Sequence, residues 1–280
     1  MTDAYALFGF PVQHSWSPFI HGMFARQTAQ DMAYRLIESP PERFRSDVLD
    51  FFSSGGRGIN VTLPHKQAAA ELVNELTPRA QRADAVNTIV RRDEQLVGDN
   101  TDGAGLLADL TRNLDLHWKA PRILLLGAGG AARGAIDPLL SLKPKVLVVA
   151  NRSTARAQAL ADEFAEFGDV RACEFSEVGH RRFDLIVNAT AASLRGEVPL
   201  IPIDVVDGKT TCYDMAYGVG DTPFVTWARR LGAARAEQGW GMLVEQAAEA
   251  FELWRGVRPD TAPVLEVLRK RAATVARNPA

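Results

Sequence analysis

The chain has 280 residues, a formal net charge of −2 and 46% apolar residues. That length and apolar content suit two modest domains, and the near-neutral charge offers neither the basic surface that nucleic acid needs nor a charged tail. The apolar runs fall short of the roughly 18 residues of a membrane span, the first residues lack a signal-peptide pattern, and two distant cysteines, Cys173 and Cys212, make neither a disulfide framework nor a zinc spacing.

A cytoplasmic protein without a metal site is expected, its cysteines serving as small buried apolar residues. In chain order, Ala4–Phe10 reads as a strand, Ser17–Thr28 as a helix, Met32–Glu38 as a strand and Pro41–Ser53 as a helix. Gly58–Thr62 reads as a strand, followed by a helix to about Glu75. Val86–Val90 and Gln95–Gly98 form a short hairpin, and Gly103–Asn113 a helix that joins two domains. A second alternation then begins, with strands at Arg122–Leu126, Lys145–Ala150, Leu185–Asn188, Thr211–Asp214 and Ala234–Ala236. Two helices, Met242–Trp254 and Ala262–Ala276, end the chain. Alternation of this kind predicts an α/β fold with parallel sheets covered by helices.

Arg122-Ile123-Leu124-Leu125-Leu126 runs directly into Gly127-Ala128-Gly129-Gly130-Ala131-Ala132. A buried strand that turns through glycines into a small-residue helix is a phosphate cradle: glycine lets the backbone turn tightly and approach a pyrophosphate, and the helix start favours an anion. The next strand ends in Asn151-Arg152-Ser153-Thr154-Ala155-Arg156. An acidic residue at Asn151 would accept from a free ribose 2′-hydroxyl; the neutral Asn151, with Arg152, Ser153, Thr154 and Arg156 beside it, favours a 2′-phosphate and hence NADP. The motif lies mid-chain, so about a hundred residues before it are free to form a separate α/β domain, with substrate in a deep cleft between the two.

Four further clusters carry more polar groups than packing explains. His14-Ser15-Trp16-Ser17-Pro18 places two hydroxyls at a helix start, where a carboxylate is well received, although Ser17 before Pro18 also suits an N-cap. Asn60-Val61-Thr62-Leu63-Pro64-His65-Lys66 sets a lysine just past a strand, and Ala85-Val86-Asn87-Thr88 sets an amide in an apolar stretch, where it needs partners. Asp99-Asn100-Thr101-Asp102-Gly103 offers Asp102 as a helix cap or as an acid.

In this order, H-S-x-S-P, N-V-T-x-P-x-K, A-V-N-T, N-T-D-G, G-A-G-G-A, N-R-S/T and G-M-L-V-x-Q-A-A resemble the shikimate dehydrogenase family from about Tyr5 to Pro263. The resemblance implies a substrate domain at 1–104 completed by 241–280, and a Rossmann-type NADP-binding domain at 105–240. It implies an NADP-dependent oxidoreductase of the chorismate and aromatic amino acid route that interconverts 3-dehydroshikimate and shikimate. Lys66 and Asp102 would be the catalytic pair. Ser15 and Ser17 would hold the substrate carboxylate, while Thr62, Asn87, Gln246 and Tyr217 would bind ring hydroxyls. Gly127, Ala128, Gly129, Gly130, Ala131, Asn151, Arg152, Ser153, Thr154 and Arg156 would hold the cofactor, with Met215 and Gly239 near the nicotinamide. The partner is a small molecule, and monomer and homodimer both stay open.

Three stretches depart from the family pattern. Asp84 stands where glycine is usual, Gly218-Val219-Gly220 follows Tyr217, and Ala191–Gly196 runs long. A quinate/shikimate dehydrogenase that also uses NAD, and a non-catalytic nucleotide-binding paralogue, are the alternatives; retention of both Lys66 and Asp102 counts against the latter.

Overall fold

Short aliphatic runs alternating with amphipathic stretches form two six-stranded sheets. The computed structural model describes residues 2–179 and 181–277. Contacts divide the chain into two units. The first gathers residues up to Gly105 together with Leu243–Glu266, and the second holds Leu106–Met242 together with the residues from Val267 on.

The first unit contains β1 (Asp3–Gly9), α1 (Ser17–Gln27), β2 (Met32–Glu38), α2 (Phe44–Ser53), β3 (Gly58–Val61), α3 (Lys66–Leu72), β4 (Glu75–Leu76), α4 (Pro78–Ala83), β5 (Thr88–Arg92) and β6 (Gln95–Asp99). Its sheet runs β2-β1-β3-β5-β6-β4. β1 lies parallel to β2 and β3, whereas β5 is antiparallel to both β3 and β6. Phe8, Phe44, Val48, Phe51, Ile59 and Val61 fill one face. The helix expected to run on to about Glu75 stops at Leu72. The chain turns extended at Val73 and pairs with β6, through Asn74 and then β4, so the helix cannot continue; α4 opens separately at Thr77-Pro78, where the Thr77 side chain accepts from Ala80 N and proline takes the first helical position. Asp84 ends α4 in the left-handed region, φ 49°. Glycine adopts that conformation without strain, and aspartate is among the few other residues that tolerate it, so the substitution keeps the turn.

His21 is buried on α1 and stacks on Tyr34, ring centroids 4.3 Å apart. Burial pushes its pKa down to about 3, against a smaller upward pull from Asn60. The folded state therefore stays unprotonated at His21 while the unfolded chain takes up a proton below its ordinary value near 6.5. Stability contributed by the neutral ring is complete above that value and lost as pH falls, by about 1.4 kcal/mol per unit. Between pH 7 and pH 5 this one group should remove roughly 2 kcal/mol. Urea unfolding of the parent and of His21→Phe at both pH values checks this; an equal loss in both proteins would assign the acid sensitivity elsewhere.

The chain enters the second unit within α5 (Asp102–Ala108), which widens into a π-helical turn at Asp109–Asn113. There follow β7 (Arg122–Leu126), α6 (Gly130–Ser141), β8 (Val146–Asn151), α7 (Thr154–Phe164), β9 (Val170–Glu174), β10 (Leu185–Asn188), β11 (Thr211–Asp214), α8 (Pro223–Arg230) and β12 (Arg235–Gln238). All six strands are parallel, in the order β12-β11-β10-β7-β8-β9. Numbered within the unit this is 3-2-1-4-5-6, the dinucleotide-binding order, whose switch point lies between β7 and β10. Leu124, Leu126, Val148 and Ile186 pack one face, and Ile123, Leu125, Leu147 and Val187 the other. β9 is an edge strand with a half-exposed, charged sequence, and for that reason the apolar pattern missed it.

α9 (Trp240–Arg255) carries the chain back, and α10 (Ala262–Arg277) follows. The expectation placed all of 241–280 with the substrate domain. Contacts assign α10 up to Glu266 to the first unit and the residues from Val267 on to the second. Residues 1 and 278–280 of the expected domains lie outside the described residues. Cys173 and Cys212 are buried and free. No described helix is long and apolar enough to cross a membrane.

Candidate active site

Lys66 is the first residue of α3, placed there by the turn that follows β3, and Asp102 is the first residue of α5. Their side chains meet: Lys66 Nζ donates to Asp102 Oδ2 at 2.5 Å, with both about three-quarters buried. Asp102 does not spend its carboxylate on capping. The Asn100 side chain accepts from Asp102 N at 3.1 Å and does that work, leaving both carboxylate oxygens to side-chain donors. The second donor is Asn87 Nδ2, 2.8 Å from Asp102 Oδ1.

Asn87 is buried just before β5, which begins at Thr88, two residues later than the expected Val86. Its Oδ1 accepts from Thr101 N at 2.8 Å and from Thr88 Oγ1 at 2.9 Å, which fixes the amide with its nitrogen toward Asp102. The same nitrogen lies 3.3 Å from Gln246 Oε1 on α9. Lys66, Asn87, Asp102 and Gln246 thus form one connected set from four separate segments. Asn60 and Thr101 belong to it as well, although neither was singled out as a site residue. Asn60 Nδ2 donates to Thr88 Oγ1 at 3.0 Å, and Thr101 Oγ1 lies 3.4 Å from Gln246 Oε1. Both stood inside quoted motifs, and burial of their polar ends was the unread signal.

Ser15 and Ser17 pair with each other instead, Oγ to Oγ at 3.1 Å. Ser17 is not a cap: α1 begins at Ser17 with no side-chain cap, so its hydroxyl is not committed to the helix end. Thr62 follows β3, its backbone N–H donating to Phe8 O at 2.9 Å.

In the second unit, Gly127 has φ +107° and a Cβ there would crowd the Ala189 backbone, so the turn itself requires glycine. At Gly129 and Gly130 a Cβ would meet nothing within 4 Å. No protein contact demands glycine at those two positions; open space over the uncapped start of α6 is what an approaching phosphate requires. Ala128 and Ala131 complete this loop. Asn151 Nδ2 donates to Ser153 O at 3.1 Å, which shapes the turn that exposes Arg152, with Arg156 also exposed in the first turn of α7. Thr154 Oγ1, however, donates to Glu174 Oε1 at 3.1 Å, and Glu174 pairs in register with Asn151. A carboxylate therefore stands against Thr154, delivered by the edge strand that the sequence pattern missed.

Met215 and Gly239 are neighbours, since a Cβ on Gly239 would lie 2.5 Å from Met215 O. Tyr217 packs against Trp240, ring centroids 4.7 Å apart and planes tilted by 42°. Asp214 holds this end together. It accepts from Ser193 Oγ at 2.6 Å, Thr222 Oγ1 at 2.7 Å, Asn188 Nδ2 at 3.0 Å and Ala216 N at 3.1 Å. Burial nonetheless raises the pKa of its carboxyl. The long stretch Ala191–Gly196 is thereby tied down: it forms a single turn at Ser193–Arg195 that closes on Gly196 at φ +75°.

Three family models match: a shikimate dehydrogenase substrate-binding domain over residues 7–89, a shikimate/quinate 5-dehydrogenase model over 109–195, and a shikimate 5′-dehydrogenase C-terminal domain over 239–269. The shikimate dehydrogenase (NADP(+)) of Methylococcus capsulatus is 52% identical over 97% of this chain and 98% of its own. The chain belongs to the shikimate dehydrogenase family. Among solved structures of similar fold, the Ael1 enzyme from Pseudomonas putida superposes with a TM-score of 0.91 at 46% identity, covering 95% of this chain and 98% of its own. The shikimate 5-dehydrogenase of Thermus thermophilus, solved with NADP(H) and shikimate, gives a TM-score of 0.85 at 32% identity, with 96% and 99% covered. The shikimate dehydrogenase framework accounts for the expected pairing of an α/β substrate domain with a Rossmann-type domain.

Proposed function

We propose that the chain interconverts 3-dehydroshikimate and shikimate with NADP(H), on the route to chorismate and the aromatic amino acids, as a cytoplasmic enzyme working as a monomer or homodimer. The observation that carries this reading is the joined set Lys66–Asp102–Asn87–Gln246. A polyhydroxylated ring needs donors and acceptors fixed side by side, and a ring ketone being reduced needs a proton at its oxygen. When bound, NADPH supplies the hydride. Lys66 Nζ then stabilises the developing alkoxide and protonates it, and Asp102 Oδ2 keeps the ammonium aimed at that oxygen. Asn87, Gln246 and Thr62 orient the ring hydroxyls, with Tyr217 in support. Ser15 and Ser17 take the ring carboxylate at the start of α1, where the Ser17 hydroxyl is not used as a helix cap.

On the cofactor side, Gly127–Ala131 receive the pyrophosphate, and Asn151, Arg152, Ser153, Thr154 and Arg156 the 2′-phosphate. Met215 and Gly239 flank the nicotinamide. The proposed domain roles are 1–104 with the C-terminal segment from 241 up to Glu266 for substrate, and 105–240 for nucleotide. Initial rates with shikimate and with quinate, each with NADP and with NAD, test the reading. The expected order puts shikimate with NADP first. Quinate at equal efficiency would make the chain a dual-specificity enzyme, and silence on both acids would overturn the assignment.

A further inference from the structure

Two of the residues assigned above, Asp102 and Gln246, sit on elements that share one unassigned neighbour. Arg79 on α4 forks onto the buried carboxylate of Asp99, Nε to Oδ1 at 2.6 Å and Nη2 to Oδ2 at 2.7 Å. Its third nitrogen reaches Glu249 on α9, Nη1 to Oε2 at 3.4 Å, one helical turn beyond Gln246. Asp99 in turn accepts from Asn100 N at 2.7 Å, and the Asn100 side chain holds Asp102 N. Burial pushes the Asp99 carboxyl up, and its bonds to Arg79 and Thr77 more than offset that.

We propose that Arg79 is a positioning residue for the reaction: one guanidinium clamps the Asp99–Asp102 turn to α9 and so sets the spacing between Asp102 and Gln246. The proposal rests on the functional reading above and adds a residue that touches neither substrate nor cofactor. The planar fork is what the site requires. A lysine carries the same charge, but as a point charge it cannot grip Asp99 with two parallel bonds and reach Glu249 with a third. Misplacement of a substrate-orienting group by a fraction of an ångström weakens the substrate complex and the transition state, whereas the nucleotide residues belong to the other unit.

The test is steady-state kinetics on full-length protein, with shikimate and NADP varied separately and melting temperature recorded. Arg79→Lys should raise KM for shikimate about tenfold and lower kcat, with KM for NADP within about twofold of the parent. Glu249→Gln weakens the α9 arm, and with it the pair that Glu249 makes to Arg258, but leaves Asp99 paired to Arg79, and should raise KM for shikimate about threefold. If Arg79→Lys does not fold, Glu249→Gln decides. Variants with unchanged KM for shikimate, or with both KM values moving together as stability falls, overturn the clamp while the functional reading stands. A parent chain that turns over neither acid overturns both.

Discussion

Lys66→Ala should lower turnover by about 10²–10⁴-fold, the range of a lost general acid, and leave KM for shikimate close to the parent value. The ammonium acts on charge that exists mainly in the transition state, so its loss falls on kcat. The fold should survive. Asp102 is about three-quarters buried, so removing its cation should cost roughly 1–3 kcal/mol, a modest part of a domain's stability. Asp102 also keeps the Asn87 amide as a partner after the substitution. Activity and stability therefore separate, and a melting curve beside a rate measurement reads both. Turnover within a few-fold of the parent would remove Lys66 from its role and leave the pair as an ordinary salt bridge.

What could be read in advance follows from where each residue lies. β7, Arg122–Leu126, was legible to the residue because a central parallel strand is buried on both faces and leaves an unbroken aliphatic run. β9 lies at the edge of the same sheet, where Val170-Arg171-Ala172-Cys173-Glu174 faces water on one side, so no such run exists. That omission hid Glu174, whose closeness to Thr154 is a product of strand register and not of chain spacing. Asn87 announced itself as a buried amide that needs partners, but its partners are 14 residues away at Thr101 and 159 away at Gln246, distances at which no periodicity operates. The Lys66–Asp102 contact spans 36 residues and was legible only through the family resemblance. Ser17 and Asp102 looked like caps because serine and aspartate favour helix starts. In the fold the residue two positions upstream accepts from the first helical N–H in each case, Asn100 from Asp102 N and Ser15 from Ser17 N.

Gly241→Ala should be among the most destabilising single-methyl additions in the chain. Glycine at 241 reads from sequence as helix-end punctuation or a flexible joint. In the structure a Cβ at 241 would overlap the carboxylate of Asp109, which is buried and has no room to retreat. Asp109 Oδ2 accepts from Tyr213 Oη at 2.6 Å, and Asp109 Oδ1 accepts from Asn113 Nδ2 at 3.0 Å. Burial and the adjacent Asp109 carboxylate raise the pKa of the Tyr213 phenol well above its ordinary value, so that bond keeps its proton on tyrosine. The carboxylate also lies against the first turn of α9, where free N–H groups and the helix dipole favour an anion. Forcing a methyl into this space costs roughly 3 kcal/mol, a fall of about 6–12 °C in melting temperature for a chain of this size. Steric origin has a specific signature. In Asp109→Ala the obstructing carboxylate is gone, so adding Gly241→Ala to that background should cost less than about 1 kcal/mol more. Strict additivity of the two changes would mean that Gly241 is needed for its backbone freedom and not for the close approach of Asp109.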